Sequence, residues 1–226
     1  MDDRIVETSE RVTLLGAGQV NKAVFHESLR HAPFLVAADG GTKMALKYGV
    51  MPEIVIGDMD SIDEASRARI PPGRLHRIAE QESTDFDKAL RSISAPLVIA
   101  TGFLGRRLDH QLAALASLVR LEHLPCLLLG KRDVCFHLRG EVALELEPGS
   151  RLSLFPMLPA SGRSQGLKWP IEGLRLAPDG MIGTSNRVEE GPVRLAADGP
   201  GLLVILPRRA LGAVVAALSG GNGACA

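Results

Sequence analysis

The sequence predicts an α/β chain in two parts, a parallel-sheet domain followed by an antiparallel β domain. Three observations carry that reading. In the first half, short runs that are apolar throughout alternate with segments of helical period, the pattern of a parallel sheet covered on both faces. After about Leu138 helical period disappears, and alternating segments take over between Pro-Gly, Asp-Gly and Gly-Pro turn signals. The 226 residues, 46% hydrophobic and 23% charged, are enough for one large or two small cores.

Element by element, Arg11–Gly16 reads as a strand and Lys22–His31 as a helix. Phe34–Ala38 is a strand running into Asp39-Gly40-Gly41. Thr42–Tyr48 is a short helix ended by Gly49. Glu53–Ile56 is a strand leading into Gly57-Asp58-Met59-Asp60-Ser61. Ser83–Ser92 is a helix with Ser83 or Thr84 near its N-cap. Leu97–Ala100 is a strand, Asp109–Leu121 a long apolar helix with Leu112, Leu115, Leu118 and Val119 as its core stripe, and Cys126–Leu129 a further strand. This makes a Rossmann-like parallel sheet over residues 1–138. Residues 139–226 hold Val142–Leu146, Arg151–Phe155 and Leu202–Leu206 as strands, a helical stretch at Ala210–Leu218 and a disordered tail at Ser219–Ala226. They read as an antiparallel β-sandwich.

Composition excludes several functions. Twenty-six basic and 26 acidic residues leave no electrostatic footprint for nucleic acid or an anionic membrane. No apolar run spans a bilayer, and the polar N-terminus is no secretory signal. Cys126, Cys135 and Cys225 show no metal spacing, which suits a reduced, cytoplasmic protein. His26, His31, His76, His123 and His137 have no ligand spacing either and read as structural or exposed.

The chemistry lies in four acidic motifs. Asp39 follows the second strand, Asp58 and Asp60 the third, and Asp109 the loop after Leu97–Ala100, while Asp85 and Asp87 open a helix. Loops at the carboxyl ends of parallel strands converge on one edge, where ligands bind. Carboxylates gathered there repel one another unless a cation joins them, and hard oxygen ligands select Mg²⁺, Mn²⁺ or Ca²⁺. Lys43, Lys88, Arg106 and Arg107 punctuate the same loops, and cations beside a carboxylate-held metal are what polyphosphate transfer needs. Alone, each motif is weak. An Asp after a strand is often a helix cap, Asp109-His110 reads as a capping pair, and Gly16-Ala17-Gly18 reads as a tight strand-to-helix turn. Four in order on one sheet edge make the signal.

These residues resemble the thiamine pyrophosphokinase family. The resemblance rests on Ala38-Asp39-Gly40-Gly41, Gly57-Asp58-Met59-Asp60-Ser61, Ser83-Thr84-Asp85-Phe86-Asp87-Lys88-Ala89-Leu90 and Gly105-Arg106-Arg107-Leu108-Asp109-His110. It extends to Gly166-Leu167-Lys168-Trp169-Pro170 and Gly183-Thr184-Ser185-Asn186, from about Leu14 to Leu206. It implies an ATP- and Mg²⁺-dependent diphosphotransferase acting on thiamine, and a homodimer whose site joins the α/β domain of one subunit to the β domain of the other. It implies Asp58, Asp60 and Asp85 as the metal group, and Asp39, Gly40, Gly41, Lys88, Arg107, Asp109 and His110 around ATP. Asp58, Asp60, Asp85, Lys88, Arg107 and Asp109 become the catalytic set, with Asp85 and Asp109 both open as the base. Trp169, Ser185 and Asn186 are implied at thiamine. Without the resemblance, Trp169 reads as packing between strands and Ser185-Asn186 as a turn. The chain departs from the family at Glu82, where the family has Asp, and at Arg106, where it has Gly. Two other functions fit parts of the pattern: a metal-dependent nucleotide-sugar transferase using Asp58-x-Asp60, and a non-catalytic thiamine or nucleotide sensor.

Overall fold

Apolar runs of four or five residues form all but one edge strand of the parallel sheet, because each is buried on both faces. The structure, a computed structural model, describes residues 4–105 and 107–220. Chain contacts divide it into two units, Met1–Lys131 and Arg132–Ala226.

In the first unit the elements run β1 (Val6–Glu7), β2 (Val12–Leu15), α1 (Lys22–His31), β3 (Phe34–Ala38), α2 (Gly41–Lys47), β4 (Ile54–Gly57), α3 (Glu64–Ala68), β5 (Leu75–Arg77), α4 (Asp85–Arg91), β6 (Ile93–Ser94), β7 (Val98–Thr101), α5 (Leu108–Arg120) and β8 (Cys126–Leu129). The parallel sheet has the order β5-β4-β3-β2-β7-β8. Leu14, Val36, Val55, Val98, Ile99, Leu127 and Leu128 are fully buried in it. Helix starts follow their caps: Asn21 accepts from the Val24 N–H, Asp63 from the Ser66 N–H and Thr84 from the Asp87 N–H.

The Asp109–Leu121 helix is present one residue early, but its stripe is not all core. Its buried residues are Ala114, Ser117 and Leu118, whereas Leu112 is 52% and Leu108 72% exposed. Apolar period alone does not say which face meets the sheet. Three pieces escaped the sequence reading: the β1–β6 pair, α3 with no buried residue, and the edge strand β5. All are too short or too polar to show a period.

The second unit holds β9 (Asp133–His137), β10 (Glu141–Leu144), β11 (Arg151–Pro156), β12 (Gly162–Gln165), β13 (Gly183–Arg187), β14 (Val193–Ala197), β15 (Leu202–Pro207) and α6 (Leu211–Gly220). Two antiparallel arrays result, β13-β11-β15-β9 and β10-β14-β12. The units divide a few residues before Leu138 because β9 pairs with β15, as in Phe136↔Val204. Strands β12, β13 and β14 carry polar residues on their open faces, which hid them among turn signals. Ser219 and Gly220 close α6, so that end of the expected tail is helical. The remainder, with Cys225, lies outside the described residues, as does Arg106.

Candidate active site

The site begins where the sheet order changes direction. From β2 the chain goes outward to β3, from β7 the opposite way to β8, so the connections at their carboxyl ends part and leave a crevice. Two glycine turns form its floor. Gly16 N–H donates to the Thr101 carbonyl (2.8 Å) and Gly18 N–H to the Gly102 carbonyl (2.7 Å). A Cβ on Gly18 would stand 2.4 Å from the Gly102 carbonyl oxygen, and Gly102 has φ 82°, so backbone packs on backbone and only glycine fits. Gly16-Ala17-Gly18 is the expected tight turn, and it also lines a cavity of about 360 Å³ shared with Thr84, Asp85, Phe103, Arg107 and His110. Phe103 stacks obliquely on the buried Phe86, ring centroids 4.6 Å apart.

Beside this crevice the strand ends β3 and β4 deliver three carboxylates. Asp39 leaves β3 with φ 39°, held by its N–H on the Ile56 carbonyl (2.9 Å). Met59, with φ 71°, turns the chain so that Asp58 and Asp60 face the same way. One oxygen from each of Asp39, Asp58 and Asp60 lies within 4.8 Å of the others. Asp39 is buried, and its Oδ1 has no hydrogen-bond partner. Around a Mg²⁺ with bonds of about 2.0–2.1 Å, octahedral oxygens stand roughly 3–4 Å apart, so a small inward movement suits these three. An orphaned buried oxygen among carboxylates is a donor set for a hard divalent cation.

The gathered trio therefore differs from the implied Asp58, Asp60 and Asp85 group. Asp39 takes a place in it, while the half-exposed Asp85 stands one step back, tied to it through Lys88. The Lys88 ammonium, 2% exposed, lies 3.6 Å from Asp58 Oδ2 and 3.9 Å from Asp85 Oδ1. Gly40 and Gly41 serve by close packing: a Cβ on Gly41 would reach within 2.0 Å of the Leu15 carbonyl oxygen.

The electrostatics follow from these contacts. Burial first, then the charges of Asp58 and Asp60, push the Asp39 carboxyl above its ordinary 3.8, with Ser61 offsetting part of the rise. Burial and the Asp39 charge likewise raise Asp85, against the pull of Lys88. Burial works against ionised Asp58 too, but the Asp60 N–H (3.2 Å), the Gln81 amide (3.1 Å) and Lys88 outweigh it and hold that carboxyl low. Gln81 is a contact the sequence reading missed, because no motif links positions 23 residues apart.

Arg107 and His110 line the cavity. Asp109 is engaged by the Arg107 guanidinium, Nε to Oδ1 at 3.1 Å with Nη2 on Oδ2, and by the His110 N–H at 2.9 Å, which together lower its pKa. Both members of that pair are exposed. Lys43 instead pairs with Asp63 (3.2 Å). Glu82 directs its N–H to Glu80, which also accepts from Ser83 and Arg91. Of the histidines, His123 Nε2 meets the Leu90 carbonyl at 3.0 Å, and His137 Nε2 accepts the Gly201 N–H at 2.9 Å, both structural roles.

In the second unit Trp169 and Asn186 come together, with Ser185 next to Asn186 in β13. The buried Asn186 accepts the Trp169 N–H (3.3 Å) and the Arg187 N–H (2.7 Å), and donates to the Trp169 carbonyl (2.7 Å). Its amide is spent on the backbone of Trp169. Trp169 does not pack between strands; its side chain is 51% exposed, and the Lys168 ammonium sits 5.1 Å from the ring centroid. Ser185, with φ 63°, gives its N–H to Ser153 Oγ (3.0 Å) beside the register shift between Leu152 and Leu154, a distortion within β13 rather than a simple turn. The result is an exposed aromatic face already holding a cation.

Comparison with known proteins bears on both units. The model of the thiamin pyrophosphokinase catalytic domain matches residues 25–128, and that of the thiamin pyrophosphokinase vitamin B1 binding domain matches residues 141–200. Thiamine pyrophosphokinase 1 of Oryza sativa subsp. japonica is 28% identical over 185 residues, covering 74% of this chain and 69% of that protein. Thiamin pyrophosphokinase 1 of Caenorhabditis elegans is 27% identical over 184 residues, covering 73% and 75%. Among solved structures, thiamin pyrophosphokinase from Candida albicans superposes with a TM-score of 0.76 at 14% identity, over 92% of this chain and 97% of that one. At that identity the likeness concerns the fold alone.

Proposed function

The chain belongs to the thiamin pyrophosphokinase family and is an enzyme of that class, and we propose from that premise how its residues transfer a diphosphate from ATP to thiamine. The first unit is the catalytic, nucleotide-binding domain, and the second is a thiamine-binding β-sandwich. The thiamine hydroxyl oxygen forms a bond to the β-phosphorus of ATP, the bond from that phosphorus to the α,β-bridging oxygen breaks, and AMP leaves as thiamine diphosphate forms. The observation that carries the reading is the Asp39, Asp58 and Asp60 cluster, with its orphaned Asp39 oxygen, next to a cavity at the sheet's switch point.

Asp39, Asp58 and Asp60 would hold Mg²⁺, which when bound supplies charge neutralisation to the phosphates. Lys88 and Arg107 add donors to the same oxygens, and Phe103 walls the cavity. Asp85 lines the cavity and has a raised pKa, so it orients the hydroxyl and accepts its proton; Asp109, engaged by Arg107, does not. Trp169 offers its π face to the thiamine cation, worth roughly 0.5–2 kcal/mol. Asn186 holds the Trp169 backbone, and Ser185 presents its exposed side chain.

A homodimer belongs to the proposal, supported by Leu108 and Leu112 exposed four residues apart on α5. A reducing, cytoplasmic setting suits the buried thiols of Cys126 and Cys135. Among the described residues no helix is long and apolar enough to cross a membrane. Neither a nucleotide-sugar transferase nor a sensor is favoured by the family match.

The test is an assay with thiamine, ATP and Mg²⁺. AMP and thiamine diphosphate should appear in equal amounts, and Asp58→Asn should abolish both. Thiamine binding without AMP would replace this reading with the sensor.

A further inference from the structure

Asp87 carries no role in the chemistry above, yet it is a carboxylate 5% exposed between two helices. It accepts from Ser117 Oγ at 2.7 Å, from Arg120 Nη2 at 2.6 Å and from Thr84 Oγ1 at 3.0 Å. Thr84 in turn accepts the Asp87 N–H at 3.2 Å, so cap and carboxylate hold the first turn of α4 reciprocally. Ser117 and Arg120 lie one helical turn apart on α5, and Ser117 also donates to the Ala113 carbonyl (2.8 Å). One buried charge thus joins the start of α4 to the body of α5.

Those helices carry the two banks of the cavity. α4 presents Asp85, with the buried Lys88 ammonium behind it on Asp58 and Asp85, while α5 and the residue before it present Arg107 and His110. Both of the remaining contacts to Asp87 come from α5 side chains, so removing the carboxylate frees the two banks to drift. Leaving Ser117 and Arg120 without their shared acceptor adds to that freedom.

We propose that Asp87 is a positioning residue for nucleotide binding and transfer, setting the distance between Lys88 on α4 and Arg107 at the head of α5. The inference rests on the reading that this cavity takes the nucleotide. Phosphate donors on separate helices cooperate only when their spacing is held, and small displacements are costly in rate.

The experiment compares the full chain with Asp87→Ala, Asp87→Asn and Arg120→Ala. It measures binding of the non-hydrolysable α,β-methylene analogue of ATP by calorimetry, KM for ATP and for thiamine, and Tm. For Asp87→Ala, kcat/KM for ATP is expected to fall about a hundredfold and analogue affinity about tenfold, while KM for thiamine stays within about twofold. Asp87→Asn keeps an acceptor for Ser117 and should fall between. If the only change is a lower Tm, with analogue affinity as in the parent chain, Asp87 is merely structural and the proposal is overturned. Should Asp87→Ala not fold, Arg120→Ala decides. Its guanidinium is 61% exposed, so its loss is tolerated; weakened analogue binding supports the clamp, and unchanged binding overturns it. Because analogue binding needs no turnover, a parent chain that binds the analogue but forms no product would sink the functional reading while leaving the clamp to be judged separately.

Discussion

Asp39 concentrates the residue-scale argument. An ionised carboxylate buried with an unpartnered oxygen, beside two others, destabilises the fold, and a bound cation would offset that cost. Asp39→Asn should therefore raise Tm in a chelator, abolish the Tm increase expected of Mg²⁺ in the parent chain, and lower kcat about 10²–10³-fold, as for loss of a charge-stabilising group; thermal scans with and without Mg²⁺, beside the product assay, check this. Glu80 has the opposite electrostatics. The Ser83 hydroxyl first, against some burial, then the Glu82 and Ser83 N–H groups and Arg91, bring its pKa from 4.5 to about 2. A carboxyl lowered on folding contributes stability present above its unfolded pKa and lost as pH falls through the folded value. The parent chain should thus lose stability between pH 4.5 and about 2 more steeply than Glu80→Gln. Acid titration followed by circular dichroism would show equal slopes if the Glu80 contacts are irrelevant. At Trp169 the resident Lys168 ammonium competes for the ring that a cationic ligand would use.

At the scale of elements, the site depends on close approach between loops. α2 starts against the end of β2 so tightly that a Cβ on Gly41 would meet the Leu15 carbonyl oxygen at 2.0 Å. That oxygen belongs to backbone in a central strand and has nowhere to go. Gly41→Ala should cost at least about 2 kcal/mol in urea unfolding and displace Asp39, two residues away. On α5 the balance is reversed. Leu108 and Leu112 are exposed, so changing both to Ser should move the stability of a folded chain by no more than about 0.5 kcal/mol each. If α5 supplies a dimer face, the same double variant should shift the chain toward monomer in light scattering; an unchanged mass would remove α5 from the interface.

For the molecule as a whole, the proposed function assigns one substrate to each unit, and ligand linkage can read the two separately. A ligand that binds only the folded state at about 100 times its Kd stabilises by roughly 2.7 kcal/mol. Thiamine alone should raise Tm in both the parent chain and Asp58→Asn, because Trp169 and its support lie in the second unit. Mg²⁺ with the α,β-methylene analogue of ATP should raise Tm only where Asp58 is intact. A thiamine shift that vanishes in Asp58→Asn would contradict the division.

The order of the elements and the identity of the acidic motifs are legible in the amino acids alone. Runs such as Phe34–Ala38 and Cys126–Leu129 are apolar throughout because both faces are covered, and that composition is legible without coordinates. Turns at Asp39 and at Asp58-Met59-Asp60 follow strands, so convergence on one edge was readable too. Which carboxylates meet was not. Asp39, Asp58 and Asp60 come together because β3 and β4 are neighbours in register, Ala38 against Ile56, whereas Asp85 arrives on a helix from farther along the chain. Likewise Gln81 on Asp58, Asp87 on Ser117 and Arg120, and Asn186 on the Trp169 backbone join positions 17 to 33 residues apart. Local sequence records propensity and period over a few residues; contacts between distant side chains are set only when packing brings their elements together, and that was for the tertiary structure to decide.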